Sequence, residues 1–110
     1  MIEKDIENKL KKLLKEKNIW YLKTHGGSLQ SAGVADLLIC YNGLFVAIEV
    51  KKWPNKLTPL QKAHLLQQKQ NGAIVIVLDQ YNLPELLERI KNNENLVWIS
   101  KNSIRKYFDA

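Results

Sequence analysis

The sequence predicts an α/β fold, a mixed sheet with helices on both faces. Three observations lead there. Apolar residues recur at helical spacing near the start and then give way to short β-rich runs. Asn42-Gly43, the strongest short-range hairpin signal, separates two of those runs. Ala73–Leu78 is apolar at every position and lies between two helix-like segments, the pattern of a strand covered on both sides.

Taken in order, Ile2, Ile6, Leu10, Leu13 and Leu14 with lysines between them predict an amphipathic helix over about 2–17. Ile19–Leu22 reads as a first strand. Lys23–Gly33, with Gly26, Gly27 and Gly33 and three small hydroxyl residues, reads as a loop, and it lacks the Gly-Lys-Ser/Thr ending of a P-loop. Val34–Tyr41 and Leu44–Lys51 form the hairpin around a type I′ turn. Thr58-Pro59-Leu60-Gln61 starts a helix with an N-cap, a first-turn proline and a capping-box glutamine, and Gly72 stops it. The Ala73–Leu78 strand follows, then a helix from Leu83-Pro84 to about Asn92. A weak strand at Leu96–Ile99 and a short helix capped by Ser100 and reaching Phe108 complete an αβββαβα order with a βα tail.

With 110 residues the chain has room for a single domain over 1–110, and 45% hydrophobic with 25% charged residues is ordinary globular usage. Disorder, collagen and coiled coil are excluded. The longest apolar run falls far short of the roughly 20 residues a membrane helix needs, and Met1-Ile2-Glu3-Lys4 is charged where a signal core would be apolar. Cys40 is the only cysteine, which rules out an internal disulfide and a cysteine zinc cage. A cytoplasmic protein is therefore expected. The net charge of +6 favours a polyanionic partner, nucleic acid first.

The charges are unevenly spread. Between Glu16 and Asp79 the only acids are Asp36 and Glu49, set among Lys17, Lys23, Lys51, Lys52, Lys56, Lys62 and Lys69. Acids inside otherwise apolar strands are costly unless something pairs with them. If Asn42-Gly43 is a two-residue loop, Tyr41 faces Leu44 and Asp36 lies directly across from Glu49. Their Cβ atoms then stand about 4.5–5.5 Å apart and the like charges repel. A divalent cation such as Mg²⁺ would compensate both. Lys51, two residues beyond Glu49, falls on the same face. A metal that polarises a phosphoryl oxygen, beside a lysine that orients water, points to phosphodiester hydrolysis. A one-residue slip in register would separate the two acids.

Gly33-Val34-Ala35-Asp36, twelve intervening residues, then Glu49-Val50-Lys51 resembles the signature of the PD-(D/E)XK nuclease superfamily. Within it, the following Leu57-Thr58-Pro59-Leu60-Gln61 resembles the VRR-NUC group, particularly its small stand-alone, phage-type members. The resemblance covers about residues 3–90 and implies a restriction-endonuclease-like αβββαβ core. It departs at Ala35, where the family usually has proline. It implies that Asp36, Glu49 and the main-chain carbonyl of Val50 bind Mg²⁺ or Mn²⁺ and that Lys51 positions the attacking water. Glu7 matches the family's first-helix glutamate, although helical periodicity alone does not choose between Glu7 and Glu3. The resemblance also implies a homodimer cutting branched DNA such as four-way (Holliday) junctions.

Other residues carry two readings each. Gln61 serves the capping box, the active site to which the resemblance assigns it, or both, since a helix N-terminus favours phosphate. Lys23, His25 and Ser28, with Ser31, could approach phosphate from the loop or be solvated. His64 reads as a packing or surface residue. Lys52, Trp53 and Lys56 place an aromatic ring among lysines at the mouth of the site, suited to base stacking or to a lid packed over the hairpin. Lys9, Lys11, Lys12, Lys15 and Lys17 fit a solvated helix face. Trp20, Trp98 and Cys40 are expected in the core. Two rival functions remain: a non-catalytic nucleic-acid-binding module whose acids are merely salt-bridged, and a nuclease cutting a defined duplex sequence.

Overall fold

Helix α1 (Glu3–Glu16) forms where the apolar spacing requires it, and Ile6, Leu10, Leu13 and Leu14 are buried along one stripe. The computed structural model describes residues 1–25 and 33–109. Most of the expected loop, including Ser28 and Ser31, lies outside the described residues. Strand β1 (Tyr21–Lys23) begins later than the Ile19–Leu22 expectation, because Ile19 instead packs against the α1 side of the core. Strands β2 (Leu37–Tyr41) and β3 (Leu44–Val50) make the hairpin; Val34, Ala35 and Asp36 precede the strand instead of opening it. Helix α2 (Pro59–Gln70), strand β4 (Ile74–Leu78), helix α3 (Leu83–Lys91) and helix α4 (Val97–Phe108) follow.

The sheet order is β1-β2-β3-β4, antiparallel except for the parallel β3–β4 pair. A mixed sheet results, with a helical crossover through α2. One face packs Leu37, Ile39, Val46, Ile48, Ile76 and Leu78 against α1 and α3. The other packs Ala47, Val75 and Val77 against Leu65 of α2 and Tyr107 of α4. No described helix is long and apolar enough to cross a membrane.

The structure departs from the sequence expectation in the C-terminal segment and at three side chains expected in the core. Leu96–Ile99 is not a strand: Leu96, Ile99, Ser100, Ser103 and Tyr107 are buried at helical spacing, and Ser100 sits inside α4 instead of capping it. Its hydroxyl donates to the Val75 carbonyl at 2.6 Å, while Ser103 Oγ accepts the Val77 N–H at 3.0 Å. Those groups belong to the outer edge of β4, so α4 closes an edge that would otherwise present open main-chain groups. Trp20, Trp98 and Cys40 are not core residues, since the rings are 57% and 62% exposed and the thiol is exposed. Trp20, Leu22, Cys40 and Phe45 alternate onto the α2–α4 side of the sheet, at its β1–β2 end, where helix cover has run out.

Candidate active site

The hairpin turn sets the geometry. Asn42 and Gly43 have φ values of 51° and 78°, the left-handed pair of a type I′ turn, and Tyr41 opposes Leu44 as that turn requires. The paired register runs as far as Leu37 opposite Ile48, and Asp36, just before β2, stays close enough to Glu49 for the two carboxyls to interact. There the ladder opens. The Val50 N–H donates to Asp36 Oδ2 at 2.8 Å, and the Ala35 carbonyl is taken by the Thr24 hydroxyl at 2.7 Å. The Asp36 carbonyl accepts the Thr24 N–H at 2.9 Å, which ties this residue's main chain to the end of β1 while its side chain turns onto β3.

Glu49 is 3% exposed, and its Oε1 is buried with no hydrogen-bond partner. Burial first, then the adjacent Asp36 carboxyl, pushes the Glu49 carboxyl up to about 9; the Lys51 ammonium opposes the shift. Lys51 is anchored through its main-chain N–H, which donates to the Leu78 carbonyl at 2.9 Å. Asp36, Glu49, Val50 and Lys51 are thus brought together at one end of the sheet.

Helix α1 closes the other side of this end. Glu3, Lys4, Glu7, Lys23, Asp36 and Val50 line an open depression of about 280 Å³. Glu7 is buried and accepts from Lys23 Nζ at 2.6 Å and from Lys11 Nζ at 3.4 Å. The same Lys23 ammonium stands 3.7 Å from Asp36 Oδ1, bridging the two acids. Burial works against the Lys23 charge, but Glu7 and Asp36 outweigh it and hold its pKa above the ordinary lysine value. Glu3 Oε2 accepts the Lys52 N–H at 3.1 Å. Both helix glutamates therefore reach the site, one turn apart.

The remaining candidates are distributed around this centre. Gln61 is committed to its capping box: its N–H donates to Thr58 Oγ1 at 3.1 Å, and its Oε1 accepts the Thr58 N–H at 2.9 Å. Gly33, at φ 84°, packs so tightly on the start of α2 that a Cβ there would lie 2.9 Å from the Leu60 carbonyl carbon. This contact seats the segment leading into Asp36 against the helix that carries Gln61. His25, Lys52 and Lys56 are exposed. Trp53 is partly buried, edge-on to Tyr107 with ring centroids 5.4 Å apart. Thr24 and the bridging role of Lys23 were not read from sequence. Both depend on the β1–β2 register, which a long glycine-containing loop does not fix as a two-residue turn would.

Two carboxylates and a main-chain carbonyl are all-oxygen donors, and the partnerless Glu49 Oε1 beside a second acid is the kind of site a hard divalent cation satisfies. Among the described residues no group of three or more His, Cys, Asp or Glu side chains gathers. The chain matches no protein-family model and no curated protein.

Proposed function

We propose that this protein is a metal-dependent endodeoxyribonuclease with a PD-(D/E)XK core of the VRR-NUC type. The observation that carries the reading is the buried, partnerless Glu49 oxygen held against Asp36, with Lys51 acting on the same carboxyl. Asp36, Glu49 and the Val50 carbonyl would hold Mg²⁺ or Mn²⁺, and the ion would supply positive charge at the phosphoryl oxygen. Lys51 orients the attacking water. As the water oxygen bonds to phosphorus it gives up a proton to solvent, the bond to the leaving oxygen breaks, and that oxygen takes a proton from solvent. Glu7 holds Lys23 in place, and Lys23 in turn offsets the Asp36 charge until an ion enters. Gln61 sits at the first turn of α2, where phosphate is favoured. His25, Ser28, Lys52, Trp53 and Lys56 would contact the DNA.

Recognition by shape and phosphate suits a chain of this size, and branched DNA such as four-way junctions is the substrate class we favour. A homodimer presenting two sites has support in the uncovered sheet face of Trp20, Leu22 and Phe45, whose apolar surface a second copy would bury. The second reading, a non-catalytic DNA-binding module, draws on Lys23, which already satisfies Glu7 and Asp36 without an added ion.

Incubation with labelled junction, flap, splayed and linear duplex DNA in Mg²⁺, Mn²⁺ or EDTA separates these. Metal-dependent cutting that disappears in Glu49→Ala supports the enzyme. Metal-indifferent binding without products supports the module, and a fixed cut motif in a randomised duplex replaces branch selectivity with sequence specificity.

A further inference from the structure

Asp79, Gln80, Tyr81 and Lys106 lie beside the candidate site and have no part in the chemistry above. Gln80 clamps two segments together: its Oε1 accepts the Trp53 N–H and its Nε2 donates to the Trp53 carbonyl, each at 2.9 Å. One segment runs from Lys51 through Lys52 and Trp53 to Lys56, and the other is the turn after β4. Asp79, fully buried in that turn, accepts from Lys106 Nζ at 2.7 Å and from the Tyr107 hydroxyl at 2.8 Å. It also accepts the main-chain N–H of Tyr81 at 2.9 Å. The Lys106 ammonium fixed in this way lies 4.3 Å from the Trp53 ring centroid and 5.1 Å from that of Tyr81. Trp53 is partly buried behind it, but Tyr81 is 70% exposed.

One exposed tyrosine is ordinary on any surface. Tyr81 differs in how it is held and in the charge around it. Its main chain is bound to a buried carboxylate, its ring stands beside an immobilised cation, and the ring nearest that cation is the tryptophan that leads back to Lys51. The segment bearing Trp53 also carries Lys52 and Lys56, and α4, which supplies Lys106, carries Lys101 and Arg105; among the described residues no carboxylate lies within salt-bridge distance of any of these four. Glu85, which lines the adjoining cavity of about 180 Å³, is engaged by Arg89. A rigid, exposed aromatic face in a cationic setting is what an unpaired base requires, because any base can stack on it while lysines hold the backbone.

We infer that Tyr81 is a stacking platform for an unpaired base of single-stranded DNA, whose backbone passes over Lys52 and Lys56 from the carboxylate pair. The inference rests on the nuclease reading for its path and deepens it, placing the single-stranded arm of a branched substrate across the turn after β4.

The test uses fluorescein-labelled oligothymidylate and an abasic oligomer of equal length, with binding read by anisotropy in EDTA. Wild-type protein is expected to hold the base-bearing strand more tightly than the abasic one. Tyr81→Ala lowers affinity for the base-bearing strand by about five- to a hundredfold and leaves the abasic strand unchanged, while Tyr81→Phe retains wild-type binding. Equal losses on both oligomers, no loss on either, or no binding by the wild type would overturn the inference. Because EDTA removes cutting from this readout, the two proposals fail separately. Tyr81-dependent binding without cutting of any DNA in Mg²⁺ or Mn²⁺ refutes the nuclease and keeps the platform; cutting with Tyr81-independent binding does the reverse.

Discussion

Asp36 accepts the main-chain N–H of Val50 through Oδ2 at 2.8 Å, across the point where the hairpin ladder opens. A carboxylate expected as a metal ligand or as half of a salt bridge is therefore also part of the strand pairing. Asp36→Asn keeps an oxygen for that N–H and is expected to unfold within about 1 kcal/mol of wild type. Asp36→Ala leaves the amide without its acceptor and costs about 1–3 kcal/mol. The Lys23 pair, part-exposed at 3.7 Å, adds little. Urea denaturation of the three proteins checks this. Equal losses in both variants would assign the contribution to charge in place of the hydrogen bond.

Glu49 carries the opposite signature. Burial and then Asp36 raise its folded-state pKa to about 9, above the roughly 4.3 of an unfolded glutamate. The folded protein thus binds a proton that the unfolded chain releases, so this residue costs stability progressively as pH rises from about 4.5 to about 9. Glu49→Gln imitates the protonated acid and removes the dependence. In EDTA it is expected to be more stable than wild type by roughly 1–3 kcal/mol at pH 8 and nearly equal at pH 5. Thermal melts at the two pH values decide the matter, since parallel wild-type and variant profiles would mean that Glu49 is ionised in the fold.

Parts of this architecture were legible because local chemistry dictates them. Asn42-Gly43 can adopt the two positive φ values cheaply, and everything up to Leu37 opposite Ile48 follows from that turn. Thr58, Pro59 and Gln61 likewise start α2 through contacts within one turn. What failed was decided at a distance. Leu96-Val97-Trp98-Ile99 carries a β-rich composition, but the open edge of β4 recruits Ser100 and Ser103, and a helix is the form that delivers both hydroxyls. Trp20 and Trp98 look like core by hydrophobicity; which apolar groups receive cover depends on where the helices end. In the site, the meeting of Asp36 and Glu49 followed from the turn. Lys23 bridging Glu7 and Asp36 did not, because three separate elements must converge to form it.

Ser103 supplies a test of the edge cover. Its hydroxyl accepts from the Val77 N–H at 3.0 Å and donates to the Ser100 carbonyl at 3.0 Å, all within a buried seam. Ser103→Ala keeps the volume of the methylene and strands the Val77 amide, an unmade hydrogen bond worth about 1–3 kcal/mol. A fall in melting temperature of roughly 4–15 °C is expected. Hydrogen exchange at Val77 should accelerate by more than at Ile76, whose main chain faces β3. Uniform acceleration across β4 would instead signal global loosening.

Lys51 separates binding from chemistry most directly. Its main chain is fixed by the Leu78 carbonyl, so truncating the side chain leaves the fold in place. The ammonium is one charge among several lysines on this surface, and its loss should weaken DNA binding by less than about tenfold. Its position two residues beyond Glu49 is not replaceable in that way, because no other described cation counters the burial of that carboxyl. Under the nuclease reading, Lys51→Ala is therefore expected to reduce single-turnover cutting by about 10²–10⁴-fold while anisotropy in EDTA changes little. Lys52→Ala, one residue on and exposed, should show the converse: a modest loss of affinity with near-normal cutting once DNA is saturating. Wild-type turnover in Lys51→Ala would remove its assigned role, and matched losses of affinity and rate would make it a phosphate contact only.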